Sequence, residues 1–157
     1  MRKGGRILLP IINRNCMVFD LDVENKQQVL EKMVNIFDEQ GYLNNKELFF
    51  EDVLEREKVF STFLDYGIGL PHGKSNGTNQ AGVCIARLNN PVSWNENEED
   101  KVDIVIMIAV KADNDNDLHL KILAKLSRAL MHKEFRDILK EGSEEQVYDN
   151  LIKQLEV

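Results

Sequence analysis

The stretch VDIVIMIAV at residues 102–110 decides the fold of this chain. All but one of its residues are apolar, so it lacks the alternation of a strand with one solvated face. A strand of this kind is buried on both faces, and helices must then cover both sides of its sheet. The sequence therefore predicts an α/β fold, a mixed β-sheet flanked by helices on both faces in a three-layer sandwich.

Further segments supply the other elements of this sandwich. AGVCIARL at residues 81–88 is typical of a second strand, and a short β-type segment is predicted at residues 60–63. Apolar residues recur at helical spacing in five segments: one between Asn25 and Gly41, one at 46–58, one from 118 to about 131, one at 133–140 and one after Ser143. Asn25 with Gln28, and Ser143 with Gln146, are predicted to form reciprocal caps.

Length and composition indicate one ordinary globular domain. The chain has 157 residues, of which 43% are hydrophobic and 30% charged. We expect residues 17–157 to form this domain and residues 1–16 to form an N-terminal arm or an extra strand. The net charge of −7 argues against nucleic acid as a partner, since phosphate backbones require a basic surface.

Cysteine content and hydropathy predict a cytoplasmic protein without direct membrane insertion. The two cysteines do not form a disulfide framework, which favours a reducing compartment. The apolar run at residues 7–12 is too short for a signal peptide and contains Pro10. No stretch is long enough to span a bilayer.

His72 is the strongest candidate for chemistry. It lies in GIGLPHGK at residues 67–74, where glycines let a bulky anion approach the main chain and Pro71 restrains the backbone. We expect a rigid turn with the ring of His72 pointing outward. A neutral imidazole has one lone pair and can attack phosphorus near neutral pH. The alternative is a turn histidine that only forms hydrogen bonds.

The other two histidines have less support from local sequence. His119 shares a helix face with Ile122 and Leu126, so its ring is predicted to point toward the sheet. A core histidine and a second histidine at a phosphoryl site are both open interpretations. His132 follows a helix end and suits a C-terminal cation without a chemical role.

Nucleotide and metal sites are not predicted. GKS at residues 73–75 resembles the end of a P-loop, but Ile68 occupies the position where that motif needs a glycine. No cysteine and histidine have zinc-site spacing. The acidic residues Asp113, Asp115 and Asp117 begin like a calcium loop, yet Leu118 stands where that loop requires glycine.

Several motifs in a fixed order resemble one known family. LEREKVFST at residues 54–62, followed by GIGLPHG at 67–73, is similar to the enzyme IIA domain of the bacterial phosphoenolpyruvate-dependent sugar phosphotransferase system, fructose–mannitol type. The similarity continues at three further motifs and covers roughly residues 17–156: PVSW at 91–94, VD at 102–103 and LHLKIL at 118–123. Gly69 stands where many members have alanine, which we expect to be a mild change.

The resemblance implies specific roles for residues of the site. His72 matches the phosphorylated histidine, Arg56 an arginine that stabilises charge, and His119 a second histidine that helps to hold the phosphoryl group. Backbone N–H groups around Gly73 and the hydroxyl of Thr62 would support this anion site. Phosphoryl transfer relies on positioning and charge stabilisation, which these groups can supply without a metal or cofactor.

The resemblance also implies protein partners. A phosphohistidine carrier protein would phosphorylate His72, and an enzyme IIB domain would receive the group for sugar uptake and phosphorylation. The chain would then be a phosphotransferase with a phosphohistidine intermediate. The alternative is a regulatory phosphotransfer module of the nitrogen-signalling type, whose phosphorylation state is read by partner proteins. A third possibility is an α/β domain without phosphoryl chemistry.

Overall fold

A mixed sheet lies between two layers of helices. The structure is a computed structural model, and it describes residues 8–97, 99–113 and 116–155. Within these ranges six strands form one sheet, and five helices cover its two faces. The predicted three-layer α/β sandwich is confirmed.

The strands are β1 (Ile12–Leu21), β2 (Phe63–Leu64), β3 (Ile68–Gly69), β4 (His72–Ser75), β5 (Gly82–Ser93) and β6 (Lys101–Lys111). They follow the order β1-β5-β6-β3-β2 in the sheet, and β4 also pairs with β6. β1 runs parallel to β5, β5 antiparallel to β6, and β3 and β4 parallel to β6. The helices are α1 (Lys26–Glu39), α2 (Lys46–Val59), α3 (Asn116–Leu130), α4 (Lys133–Glu141) and α5 (Glu144–Leu155).

β6 supplies both hydrophobic cores of the molecule. Ile104, Ile106 and Ile108 pack with α3, α4 and α5 on one face. Val105 and Met107 pack with α1 and α2 on the other. All five side chains are at most 1% exposed. Full burial of one such side chain stabilises the fold by roughly 1.5–3 kcal/mol, so neither helical layer can be removed without a large loss.

Of the two predicted reciprocal helix caps, the one formed by Ser143 and Gln146 is confirmed, and the one formed by Asn25 and Gln28 is confirmed only in part. Gln146 N–H donates to Ser143 Oγ and Ser143 N–H donates to Gln146 Oε1, which is the reciprocal pair expected before α5. Asn25 Oδ1 accepts from Gln28 N–H as expected. The side chain of Gln28, however, accepts from Glu24 N–H and not from Asn25.

Three local predictions differ from the structure. The β-type segment expected at 60–63 begins only at Phe63, because α2 continues through Val59 and Phe60 caps it. The helical apolar pattern after Ser143 also predicts that Ile152 is buried, but Ile152 is 38% exposed, since Val147, Leu151 and Leu155 already form the inward stripe of α5 at four-residue spacing. The expected boundary after residue 16 falls inside β1, and the division into 1–16 and 17–157 stays a prediction.

None of the helices within the described ranges has the length and apolar run needed to cross a membrane.

Arg87 of β5 holds the C-terminal end of α4. Its Nε and Nη2 donate to the carbonyl of Leu139 at 3.0 and 2.8 Å, and Nη2 also donates to Gly142 O at 2.8 Å. The last carbonyls of a helix have no partner within the helix, and a guanidinium satisfies them while complementing the helix dipole. Arg87 therefore joins the sheet to the α4 layer by charge-assisted hydrogen bonds.

We expect Arg87→Met to lower the free energy of unfolding by about 2–3 kcal/mol, because the carbonyls at the end of α4 lose a charged donor. Arg14→Met is the matched control, since Arg14 lies on the surface and pairs with Glu145 in solvent. Urea unfolding followed by circular dichroism measures both. Equal midpoints for the two variants would contradict a capping role for Arg87.

Candidate functional site

His72 is the first residue of β4 and not part of a turn. Ile108 N–H donates to the carbonyl of Pro71 at 3.0 Å, and His72 lies opposite Ile108 in the parallel ladder with β6. Only 9% of His72 is exposed. The predicted outward ring is therefore wrong, because β6 draws the chain after Pro71 into the sheet and buries most of the side chain.

A backbone carbonyl fixes the tautomer of His72. Nδ1 lies 3.0 Å from the carbonyl oxygen of Leu70. A carbonyl can only accept, so Nδ1 carries the hydrogen and Nε2 carries the lone pair. Leu70 N–H in turn donates to the carbonyl of Thr62 at 3.0 Å, which holds the peptide that orients the ring.

His119 lies beside His72. It is in the first turns of α3, and its ring centroid is 5.2 Å from that of His72 with an interplanar angle of 69°. The resemblance implies that both histidines contact one phosphoryl group, which requires their rings to lie close together, and this proximity is confirmed. His119 Nε2 is buried and has no hydrogen-bond partner among the described residues. Most buried polar atoms have a hydrogen-bond partner, so this nitrogen differs from that of a satisfied core histidine.

Arg56 approaches the rings from the opposite helical layer. It is in the last turn of α2, and its charge acts on both His72 and His119. Its guanidinium carbon lies 5.3 Å from the ring centroid of Phe60. Nη1 is buried and finds no hydrogen-bond partner within the part of the chain that the structure describes. The site thus combines an unpaired cationic donor with a nucleophilic nitrogen.

Gly73 permits the close packing that brings Arg56 to the site. A Cβ at this position would lie 3.0 Å from Val53 Cγ2 and 3.4 Å from Phe49 Cε1, both on α2. A larger residue would push α2 away from β4. Packing is the role of Gly73 that the structure displays, and its expected contribution of backbone donors stays a prediction.

Burial keeps both histidines neutral near pH 7. Burial lowers the pKa of His72, with a further decrease from Arg56, while the bond to Leu70 and the charge of Glu57 oppose it. Burial also lowers the pKa of His119, to about 4, with smaller contributions from His72, Lys74 and Arg56. Neutral His72 retains its lone pair, and an arriving anion would meet donors and a cation.

Thr62 is engaged by its neighbours. The residue is 7% exposed, its hydroxyl donates to Glu57 Oε2 at 2.5 Å and accepts from Trp94 Nε1 at 3.1 Å. Its single hydrogen is therefore committed to Glu57, and its expected support of the anion stays a prediction. Glu57 and Trp94 lie in the motifs that carry the family resemblance, but neither was predicted to belong to the site. The only tryptophan of the chain was a usable signal, because a buried indole N–H needs an acceptor.

Gly69 is required by Trp94. A Cβ on Gly69 would lie 2.9 Å from Cε2 and Cζ2 of the indole, closer than real side chains approach. The expectation that glycine is only a mild change here is wrong, because this indole lies against the backbone of β3. Alanine at 69 would displace the ring that donates to Thr62.

Metal binding has no support in the described residues, where no three His, Cys, Asp or Glu side chains cluster in a way that could hold an ion. Asp115 of the acidic segment considered for calcium lies outside the described residues. His132 is exposed and precedes α4 without a side-chain capping bond.

Several solved structures share this fold. The nitrogen regulatory protein IIA-Ntr from Neisseria meningitidis has a TM-score of 0.76 and 27% identity, covering 90% of this chain and 96% of that one. Enzyme IIAMTL in complex with phosphorylated enzyme IIBMTL, both from Escherichia coli, has a TM-score of 0.73 and 22% identity, covering 92% and 98%. At that identity the second likeness shows the fold alone.

Proteins similar in sequence to this chain also belong to phosphotransferase systems or are phosphoryl transfer proteins. Multiphosphoryl transfer protein 2 of Escherichia coli (strain K12) is 31% identical over 130 residues, which are 83% of this chain and 15% of that protein. The PTS system fructose-like EIIA component of the same strain is 29% identical over 136 residues, covering 87% of this chain and 91% of that one. Residues 10–154 match the family "Phosphoenolpyruvate-dependent sugar phosphotransferase system, EIIA 2". This chain therefore belongs to the EIIA family of sugar phosphotransferase phosphocarriers.

Proposed function

We propose that His72 accepts a phosphoryl group on Nε2 from the phosphohistidine carrier protein and passes it to an enzyme IIB component for sugar uptake and phosphorylation. One observation carries this proposal: the Leu70 carbonyl accepts a hydrogen bond from Nδ1–H of His72, so the lone pair is on Nε2. Family membership and the complex of IIAMTL with phosphorylated IIBMTL support the partner classes. The cytoplasmic location stays a prediction.

In the proposed phosphoryl transfer, the bonds formed and the bonds broken balance without a nucleotide, a metal or water as a further reactant. The Nε2 lone pair of His72 attacks phosphorus while the phosphorus–nitrogen bond of the donor phosphohistidine breaks, and the donor ring leaves as a neutral imidazole. The hydrogen of His72 stays on Nδ1, and its hydrogen bond to the Leu70 carbonyl stabilises the positive charge that develops on the ring. The reverse set of bond changes delivers the group to a cysteine or histidine of enzyme IIB.

Arg56 and His119 stabilise the phosphoryl oxygens in this proposal. The planar guanidinium of Arg56 matches two oxygens at once, which a lysine cannot do. His119 is neutral at pH 7 and acts as a hydrogen-bond donor through a ring N–H. Both groups have a buried nitrogen without a partner among the described residues, so the phosphoryl group would replace no existing bond at either nitrogen.

A regulatory phosphotransfer module is the second candidate. The observation that favours it is the likeness to IIA-Ntr of Neisseria meningitidis, at 27% identity over 90% of this chain. Both candidates use the same chemistry at His72 and differ in what receives or reads the phosphoryl group. Transfer from the phosphorylated chain to purified sugar-type enzyme IIB separates them, since a regulatory module would retain the label.

We expect His72 to be the only phosphorylated residue. Incubation with phosphorylated carrier protein, followed by mapping of acid-labile phosphate, should place the label on Nε2 of His72, because Nδ1 is held by Leu70. His72→Ala should take up none, and His132→Ala is the matched control that should label normally. Label at His119, or label persisting in His72→Ala, would contradict the proposal.

We expect Arg56→Lys to fold normally and to slow transfer by about 2–4 kcal/mol of activation free energy, since the charge remains but the planar fork is lost. Rapid-quench phosphorylation measures the rate, and thermal melting checks the fold. Lys58→Arg, on the same helix and exposed, is the control and should not change the rate. An unchanged rate in Arg56→Lys would remove Arg56 from the mechanism.

We expect His119 to make the protein sensitive to acid. Its pKa is about 4 when folded and about 6.5 when unfolded, so between these values only the unfolded chain binds the proton. The free energy of unfolding should therefore fall as pH decreases from about 6.5 to about 4. The decrease should be smaller in His119→Gln, which lacks this titrating group. Urea titrations at several pH values measure this, and parallel curves for the two proteins would contradict it.

A further inference from the structure

We infer that Glu57 is a positioning residue for phosphoryl transfer, which ties the end of α2, carrying Arg56, to the segment that carries His72. The inference rests on the proposed phosphorylation of His72. Glu57 itself does not touch the phosphoryl group in this arrangement. It acts through hydrogen bonds to other residues of the site.

Both carboxylate oxygens of Glu57 are engaged. Oε1 lies 2.6 Å from Lys26 Nζ, and Oε2 accepts from the Thr62 hydroxyl at 2.5 Å. The Glu57 side chain is only 6% exposed. A buried carboxylate is costly unless it is paired and hydrogen-bonded, so this group has one strongly preferred place. A residue fixed in this way can fix its neighbours.

Three hydrogen bonds lead from Glu57 to His72: one between two side chains, one between two backbone groups, and one from the His72 ring to a backbone carbonyl. Glu57 holds the side chain of Thr62, whose carbonyl accepts from Leu70 N–H at 3.0 Å. The carbonyl of Leu70 accepts from His72 Nδ1 at 3.0 Å. Displacement of Thr62 would therefore shift the peptide that sets the tautomer and orientation of the nucleophile.

Glu57 also determines where Arg56 lies. The two residues are consecutive in α2, so their side chains leave the helix about 100° apart. Anchoring Glu57 to Lys26 and Thr62 fixes the rotation of this last turn, and Arg56 is then directed to the two histidines. Arg56 Nη1 has no hydrogen-bond partner among the described residues, so its placement depends on the helix.

The position of Glu57 is stabilised by a closed ring of contacts among four side chains, those of Glu57, Thr62, Trp94 and Lys26. Trp94 Nε1 donates to Thr62, and Lys26 Nζ donates to the Trp94 carbonyl at 3.1 Å and lies 4.7 Å from the indole centroid. Lys26 is the first residue of α1, so the ring joins α1, α2 and the end of β5. Lys26 and Thr62 also occupy the carboxylate of Glu57, which leaves the charge of Arg56 available to a phosphoryl group.

The first test compares Glu57→Gln with Glu55→Gln. Glu55 is exposed on the same helix and pairs with Lys58 in solvent. With phosphorylated carrier protein as donor, we expect Glu57→Gln to be phosphorylated about 10- to 100-fold more slowly, the range of a hydrogen bond to a charged group, and Glu55→Gln at the wild-type rate. Equal rates for Glu57→Gln and the wild type would overturn the inference.

A second readout does not depend on phosphorylation. Arg56 and Glu57 on α2, His119 on α3 and Lys74 on β4 are the charged or titratable groups that act on the two rings. Because the charge of Glu57 raises the pKa of His72, NMR titration should show a lower His72 pKa in Glu57→Gln and no change in Glu55→Gln. An unchanged His72 pKa in Glu57→Gln would contradict the link between Glu57 and the nucleophile.

Thr62 provides a test if Glu57→Gln does not fold. Thr62→Val removes both side-chain hydrogen bonds with little change of shape, and Thr62→Ser keeps the hydroxyl. We expect slow phosphorylation in Thr62→Val and recovery in Thr62→Ser, and equal rates in these two would overturn the inference. If wild-type protein takes up no phosphate at His72, the proposed function fails, and the titration alone decides whether Glu57 acts on His72.

Discussion

Burial of β6 on both faces is the constraint on which the rest of the structure depends. Its side chains alternate between two cores, so α1 and α2 must cover one face and α3, α4 and α5 the other. β4 lies beside β6 in the plane between these layers. The site forms there because Gly73 faces α2, while His72, the preceding residue of the strand, points to the opposite face, where His119 lies on α3.

Two neutral histidines and one arginine give the site an electrostatic environment that suits a negatively charged group. Burial lowers the pKa of both histidines, which therefore remain neutral, and Arg56 supplies the cationic group. The carboxylate of Glu57, the residue that follows Arg56 in α2, is paired with Lys26 and bonded to Thr62. A phosphoryl anion would thus gain interactions with donors that have no competing partner within the described residues, which is electrostatic preorganisation.

Local sequence patterns predicted the strands and helices well, but they predicted the burial and tertiary contacts of individual residues less well. The VDIVIMIAV stretch indicated the central strand because two-sided burial is visible as missing alternation. Ser143 with Gln146 indicated a helix start because capping depends on residues three positions apart. The burial of His72 was not predictable, because it depends on pairing with Ile108, 36 positions later in the chain. Gly69 likewise depends on Trp94, which lies 25 positions later in the chain, directly after the end of β5.

The sequence by itself determined the layered α/β class, the family resemblance and the identity of His72, Arg56 and His119 as candidates. The fold class follows from periodicity and composition, and His72 from its glycine-flanked local sequence, whereas Arg56 and His119 became candidates through the family resemblance of motifs in a fixed order. Only the tertiary structure decided that the rings of His72 and His119 lie 5.2 Å apart, that the Leu70 carbonyl leaves the lone pair on Nε2, and that Glu57 is bound to Thr62 and Lys26. The physical reason is that distances, burial and hydrogen-bond partners between distant segments arise when the two helical layers close on the sheet.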